Sequence, residues 1–207
     1  MRFYKTTLSF LLAFLMVFSA GCGGSGKEEY TPDKESGSVP AGSETEDTNE
    51  PESEEDEGYG LHNFTAEGLG KEEYGPEVFK DKDVTVVYCW TTYCGYCIDA
   101  LPEIAAYAKE LPDNVQLITW CMDGYHERAH ATDILEKSGF DGITFARGDG
   151  DLADLSAEIM YVPTTYFFDG NGNIIGEPIV GEPSDIKEVL DYYINNALKA
   201  AGKQEMQ

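Results

Sequence analysis

Residues 84–102 read VTVVYCWTTYCGYCIDALP. Val84 to Trp90 is a continuous apolar, β-branched run, as expected of a strand covered on both faces. From Gly95 to Leu111, apolar Ile98, Leu101, Ile104, Ala105 and Ala108 recur at three- and four-residue steps, which predicts a helix with one buried face. Between strand and helix lies Cys94-Gly95-Tyr96-Cys97. Zinc would need two more ligands, and the chain has no second Cys-x-x-Cys pair. At a strand-to-helix junction the pair suits thiol chemistry instead. Cys94 would face the unpaired N–H groups and positive dipole end of the helix, which favour thiolate over thiol. Cys97, one turn on and more enclosed, could then attack a mixed disulfide formed at Cys94.

Downstream, Val115 to Cys121 predicts a second strand and Tyr125 to Ser138 a helix closed by Gly139. Ile143 to Ala146 reads as a short strand and Leu152 to Ile159 as a helix. Thr164 to Phe168 and Asn173 to Val180 flank Asp169-Gly170-Asn171-Gly172, a hairpin signal. Ser184 stands where an N-cap would precede a closing helix to about Ala200. Strand, crossover helix and strand imply parallel pairing, and the glycine turn makes the last pair antiparallel. The expected α/β fold is a mixed central sheet flanked by helices.

The chain has 207 residues and a formal net charge of −25. Met1 to Gly21 carries Arg2 and Lys5, then apolar Leu8 to Phe18, then small residues, the layout of a secretory signal. Ser19-Ala20-Gly21-Cys22 resembles a bacterial lipobox, which implies acylation of Cys22. An ordinary signal with an incidental cysteine and a retained anchor are the alternatives. Residues 22–58 form an acidic tether that is too polar to order itself, with thirteen acids against Lys27 and Lys34. The domain, residues 59–207, holds 26 acids against 10 lysines and arginines, a net charge of −16. That excess excludes nucleic acid and a domain lying flat on anionic lipid.

Several separated features together resemble the thioredoxin superfamily, and within it the TlpA/ResA-like group of tethered thiol–disulfide oxidoreductases. Trp90 stands four residues before Cys94, where that family packs a tryptophan beneath its motif, and Pro102 falls where the active-site helix carries its proline. Val162-Pro163-Thr164-Thr165-Tyr166-Phe167-Phe168-Asp169 is similar to the family's cis-proline segment. The resemblance implies that Pro163 faces the cysteines and that Val162, Pro163 and Thr164 bind a substrate strand by β-augmentation. A trans proline at a strand start is the alternative. The 66 residues from Cys97 to Pro163 imply a TlpA-like insert of one strand–helix unit. Asn63 to Asp83 is similar to that group's entry segment.

The resemblance implies catalysis by Cys94 and Cys97, with Trp90, Tyr93, Gly95, Tyr96 and Pro102 in support. It implies no cofactor or metal beyond the redox-active disulfide. It places the protein lipid-anchored on the extracytoplasmic face of a bacterial membrane, reducing protein disulfides and resupplied by a transmembrane thiol carrier. Tyr96 keeps a disulfide oxidase or isomerase open, and a non-catalytic binding lipoprotein is the third class. Two departures matter. Tyr88 stands where thioredoxins proper place a buried aspartate that handles the proton of the second cysteine, leaving water or a carboxylate such as Glu103. Gly-Tyr replaces the usual Gly-Pro between the cysteines, so the direction of electron flow stays open. Cys89 and Cys121 read as buried hydrophobes, with a second disulfide or relay thiol as the alternative. His126 and His130 lie four apart on the expected helix, as a solvated face or a metal pair. Tyr192 and Tyr193 read as packing residues.

Overall fold

A computed structural model describes residues 58–206. The expected signal sequence, Cys22 and all of the tether before Gly58 lie outside the described residues. Strands β1 (Phe64–Gly68), β2 (Glu73–Tyr74), β3 (Val84–Trp90), β4 (Val115–Cys121), β5 (Thr144–Gly150), β6 (Thr164–Phe168) and β7 (Ile179–Val180) alternate with helices α1 (Gly95–Ala108), α2 (Arg128–Ser138), α3 (Asp151–Glu158) and α4 (Ile186–Ala200). The strands form one sheet in the order β2-β1-β5-β4-β3-β6-β7. β3, β4 and β5 run parallel, while β6, β7, β1 and β2 pair antiparallel to their neighbours. The sheet is mixed, as the sequence predicts. β5, reached through α2, extends it beyond β4 and accounts for the long interval from Cys97 to Pro163.

The pleat sends alternate residues of each strand into two cores. Val84, Val86, Tyr88 and Trp90 of β3 pack with Cys97, Leu101 and Ile104 of α1, Ile134 of α2 and Leu190 and Ile194 of α4. Val87 and Cys89 face the other way, among Phe64, Phe79, Trp120, Phe145, Leu152 and Phe168. Burial on both faces explains why β3 is apolar at nearly every position.

Several boundaries differ from the sequence reading. α1 stops at Ala108 rather than Leu111, where the N–H groups of Lys109 and Glu110 turn to carbonyls three residues back, and Pro112 disfavours helical geometry at Leu111. α2 begins at Arg128 rather than Tyr125, because Asp123 to Glu127 form turns closed onto the Cys121 and Asp123 carbonyls. His126 therefore lies in a turn, edge-on to Tyr125, and shares no helix with His130. The N-cap of α4 is Asp185, not Ser184, with its carboxylate accepting from the Glu188 N–H at 2.9 Å. Asn173–Val180 is not one strand. Beyond a bridge at Ile174, Gly176 at φ +67° and Pro178 break the ladder until Ile179.

β5 runs on to Gly150, past the expected end at Ala146, because Phe64 to Gly68 supplies a partner strand. Its glycines are required there. A Cβ on Gly150 would lie 2.2 Å from the Asn63 carbonyl oxygen, at φ +66°. Tyr193 stacks on Phe167 at 5.2 Å as a packing residue, whereas Tyr192 is exposed.

Candidate active site at the head of the first helix

β3, an interior strand, delivers the chain to the carboxyl ends of the parallel strands, and α1 begins within five residues of its end. Cys94 is the N-cap of α1, in extended conformation, and its Sγ accepts the Cys97 N–H at 3.2 Å. The Ile98 N–H closes onto the Cys94 carbonyl at 3.1 Å. Cys94 and Cys97 form a disulfide. Cys94 is half-buried and Cys97 fully buried, because one turn of helix carries the second side chain into the core that also holds Trp90 and Tyr88. Any attacking thiol therefore meets Cys94 first.

Beneath the motif, Trp90 is fully enclosed and is the largest side chain so buried. Pro102 lies inside α1, where its missing N–H leaves the Ile98 carbonyl without its helical donor. Gly95 meets no heavy atom within 4 Å of an added Cβ, so nothing near it requires glycine.

The Val162–Pro163 peptide is cis, the isomer expected at this position. The Val162 carbonyl oxygen stands 3.7 Å from Cys94 Sγ. Thr164 Oγ1 donates to the Tyr161 carbonyl at 2.7 Å, and the Gly181 N–H holds the Pro163 carbonyl at 2.8 Å. Among the described residues no backbone group pairs with the N–H or C=O of Val162. A cleft of about 180 Å³ beside it is lined by Tyr93, Asp123, Met160, Tyr161 and Val162. Tyr93, Tyr96, Met160 and Tyr161 are 79, 80, 77 and 72% exposed, a concentration of apolar surface around one sulfur. A larger groove of about 550 Å³, lined by Leu69, Tyr74, Leu135 and Phe140 among others, shares no residue with these surroundings.

Two carboxylates with structural partners, Asp123 at the site and Glu182 behind β3, escaped the sequence reading. Asp123, just past β4, accepts the Thr92 N–H at 3.0 and 3.1 Å, the Thr92 hydroxyl, and the Cys121 thiol at 3.2 Å. It thereby pins the segment leading into Cys94. Burial pushes the Asp123 carboxyl up, but the Thr92 and Cys121 bonds outweigh that and hold it below the usual aspartate range. The rule that chemistry gathers at the carboxyl ends of parallel strands would have pointed to it. Glu182, after β7, accepts the Tyr88 hydroxyl at 2.8 Å. Glu103, the carboxylate suggested by sequence, is exposed on α1.

Cys89 and Cys121 are buried free thiols. Cys89 pairs in register with Trp120, and Cys121 with Trp90. The two thiols thus project from opposite faces of the sheet, into separate cores, and cannot form a second disulfide. Burial raises both above the ordinary thiol range. Among the described residues no group of three or more His, Cys, Asp or Glu is placed to hold a metal.

Replacing Asp123 by alanine should strip the buried Thr92 N–H of its partner and cost about 2–3 kcal/mol. The stability that Asp123 contributes is complete above the ordinary aspartate range and is lost as pH falls through its own lowered value. Urea unfolding between pH 7 and about pH 2 should show a smaller acid-side loss in D123N than in the wild type, the remainder coming from other depressed carboxylates such as Asp83.

The thioredoxin family model matches residues 66–148. No curated protein matches at the level of sequence. Among solved structures, the thioredoxin domain of a thiol–disulfide oxidoreductase from Bacteroides vulgatus aligns with a TM-score of 0.53 at 17% identity, covering 67% of this chain and 98% of that one. DsbF from MTB gives 0.53 at 19%, over 66% and 96%. The exposed lipoprotein thioredoxin of Streptococcus pneumoniae gives 0.51 at 19%, over 63% and 96%. These likenesses establish a thioredoxin fold.

Proposed function

We propose that the chain is a thiol–disulfide oxidoreductase of the thioredoxin superfamily acting through the Cys94–Cys97 couple, a reading supported by the family model's match over residues 66–148 and by the thioredoxin fold. The observation that carries this reading is the disulfide at the head of α1, with its accessible sulfur beside the unpaired Val162 peptide. Cys94 thiolate attacks a substrate disulfide and displaces one substrate thiolate. Cys97 then attacks Cys94 Sγ and displaces the second. Two electrons pass to the substrate, two protons accompany the released thiolates, and the Cys94–Cys97 disulfide remains.

The physiological direction we propose is reduction of extracytoplasmic protein disulfides, with electrons returned by a transmembrane thiol carrier. The signal-like Met1 to Gly21, the lipobox-like run ending at Cys22 and the acidic tether support a lipid-anchored protein, as does the fold shared with an exposed streptococcal lipoprotein. Among the described residues no helix is long and apolar enough to cross a membrane. The potential of the couple tests direction. A value near that of thioredoxin, about −270 mV, is expected, and one near −120 mV, that of a strong disulfide donor, would contradict a reductant.

The substrate we propose is an extended polypeptide, paired to Val162 and resting on Tyr93, Tyr96, Met160 and Tyr161. Replacing Met160 and Tyr161 together by serine removes about 1–2 kcal/mol of apolar contact. That should lower kcat/KM on a peptide disulfide about 5- to 30-fold, with a much smaller change on a small hydrophilic disulfide. The same exposed aromatic ground would serve a disulfide isomerase, for which recovery of scrambled ribonuclease is the discriminating assay.

A further inference from the structure

The cleft beside Val162 combines apolar walls with a single charge. Met122, Ile159 and Met160, with the rings of Tyr93 and Tyr161, form its sides. Its one charged lining residue is Asp123. Three donors of this chain reach the Asp123 carboxylate, the Thr92 N–H and hydroxyl and the Cys121 thiol, and all three are neutral. They orient the carboxylate without cancelling its charge. Among the described residues no lysine or arginine forms an ion pair with it. Burial pushes the carboxyl up, but the Thr92 and Cys121 bonds outweigh burial, so it is anionic at neutral pH.

An apolar side chain laid in this cleft would strip water from a carboxylate that has no counter-charge, which is costly. An acidic one would meet like charge. Lysine and arginine suit both parts of the cleft. Their aliphatic stems can lie along the methionine and isoleucine side chains, while the charged head meets the carboxylate and the tyrosine faces. A volume of about 180 Å³ lies below the roughly 300 Å³ at which small-molecule sites begin, and fits one side chain instead. The cleft is also close to the reacting sulfur. Val162 lines it, and the Val162 carbonyl oxygen is 3.7 Å from Cys94 Sγ. In an extended substrate the side chain two places from the cysteine faces the same way as the cysteine, about 7 Å along the strand.

Resting on the redox reading above, we infer that this cleft is a specificity subsite for a lysine or arginine two places from the reacting cysteine of the substrate, selected by Asp123. The domain as a whole, with 26 acids against 10 lysines and arginines, attracts any cationic peptide from a distance. That general field is screened over about 8 Å at physiological salt, whereas the cleft acts at contact. The two effects are therefore separable.

The test uses the full-length chain with its Cys94–Cys97 pair reduced, and four disulfide-bonded peptides in about 0.15 M salt. Three carry lysine, norleucine or glutamate at the positions two before and two after the reacting cysteine. The fourth carries norleucine there and its lysines six residues further out, about 20 Å away. Adjacent lysine should raise kcat/KM about five- to ten-fold over norleucine, and glutamate should lower it by a similar factor. The remote-lysine peptide should stay within about two-fold of the norleucine one. In D123N the lysine-to-norleucine ratio should fall to about two-fold or less. The ratio is the readout because asparagine also disturbs the bond to Thr92, and that disturbance scales all four peptides alike. Equal rates for adjacent and remote lysine in the wild type would overturn the inference, a comparison that does not depend on the folding of D123N. A lysine preference undiminished in D123N would overturn it as well. If the wild type reduced none of the four peptides, the redox reading itself would fall.

Discussion

Reduced C97S protein mixed with a denatured disulfide-bonded substrate should accumulate one stable covalent adduct per chain, on Cys94. Cys94 is the half-buried sulfur that an incoming disulfide meets, and Cys97 is the fully buried one that would release it. Serine at position 97 leaves attack intact and removes the resolving thiol, so the mixed disulfide has no intramolecular exit. C94S should form no adduct and reduce substrate no faster than the uncatalysed reaction, because Cys97 is closed to substrate. The double variant, which keeps Cys22, Cys89 and Cys121, should also form none. Mass mapping of the cross-linked peptide decides the matter. An adduct on Cys97 in C94S, with none on Cys94 in C97S, would reverse the assigned order of the pair.

Trp90→Ala should destabilise the domain by about 3–5 kcal/mol, a large share of the roughly 5–15 kcal/mol that holds a domain folded. Trp90 is fully buried at the end of β3, within the cluster that also contains Cys97 and Cys121. The indole N–H has no partner among the described residues, so the expected loss is one of packing. Trp90→Phe should cost much less, since an aromatic ring still fills most of the space. The urea midpoint measures the stability. Cys97 alkylation in the reduced protein should also rise in Trp90→Ala, because the resulting cavity opens the sulfur's enclosure.

What was legible in the sequence was local. The β-branched run of β3, the apolar steps of α1 and the Cys-x-x-Cys between them need only nearest neighbours to be read. They located the site before any strand was paired. Pro163 was legible through the resemblance of Val162 to Asp169 to the family's cis-proline segment, at an X–Pro bond where a cis peptide is inexpensive. β1 was not legible. Phe64-Thr65-Ala66-Glu67-Gly68 alternates in burial but is short, weakly apolar and ends in glycine, and it becomes a strand because β5 and β2 flank it. The same pairing carried β5 through Gly148 and Gly150, residues that read as breakers in isolation.

The two carboxylates were hidden for a related reason. Asp123 looks like a helix-starting residue until its oxygens are seen to be taken by Thr92, 31 positions away. Glu182 stands beside a proline in a loop, and its partner Tyr88 lies 94 positions away. The replacement of an expected aspartate by Tyr88 was visible from sequence. That the tyrosine would reach past its own position to a glutamate elsewhere was not.

The acidity of Cys94 gives the most direct test of the whole account. In the reduced full-length protein, site-resolved alkylation across a pH series should give Cys94 a midpoint at least about one unit below the free-cysteine value of roughly 8.5, because the Cys97 N–H and the dipole of α1 stabilise the anion. A midpoint at or above that value would mean that the head of α1 does not activate the sulfur, and would contradict a redox function built on it.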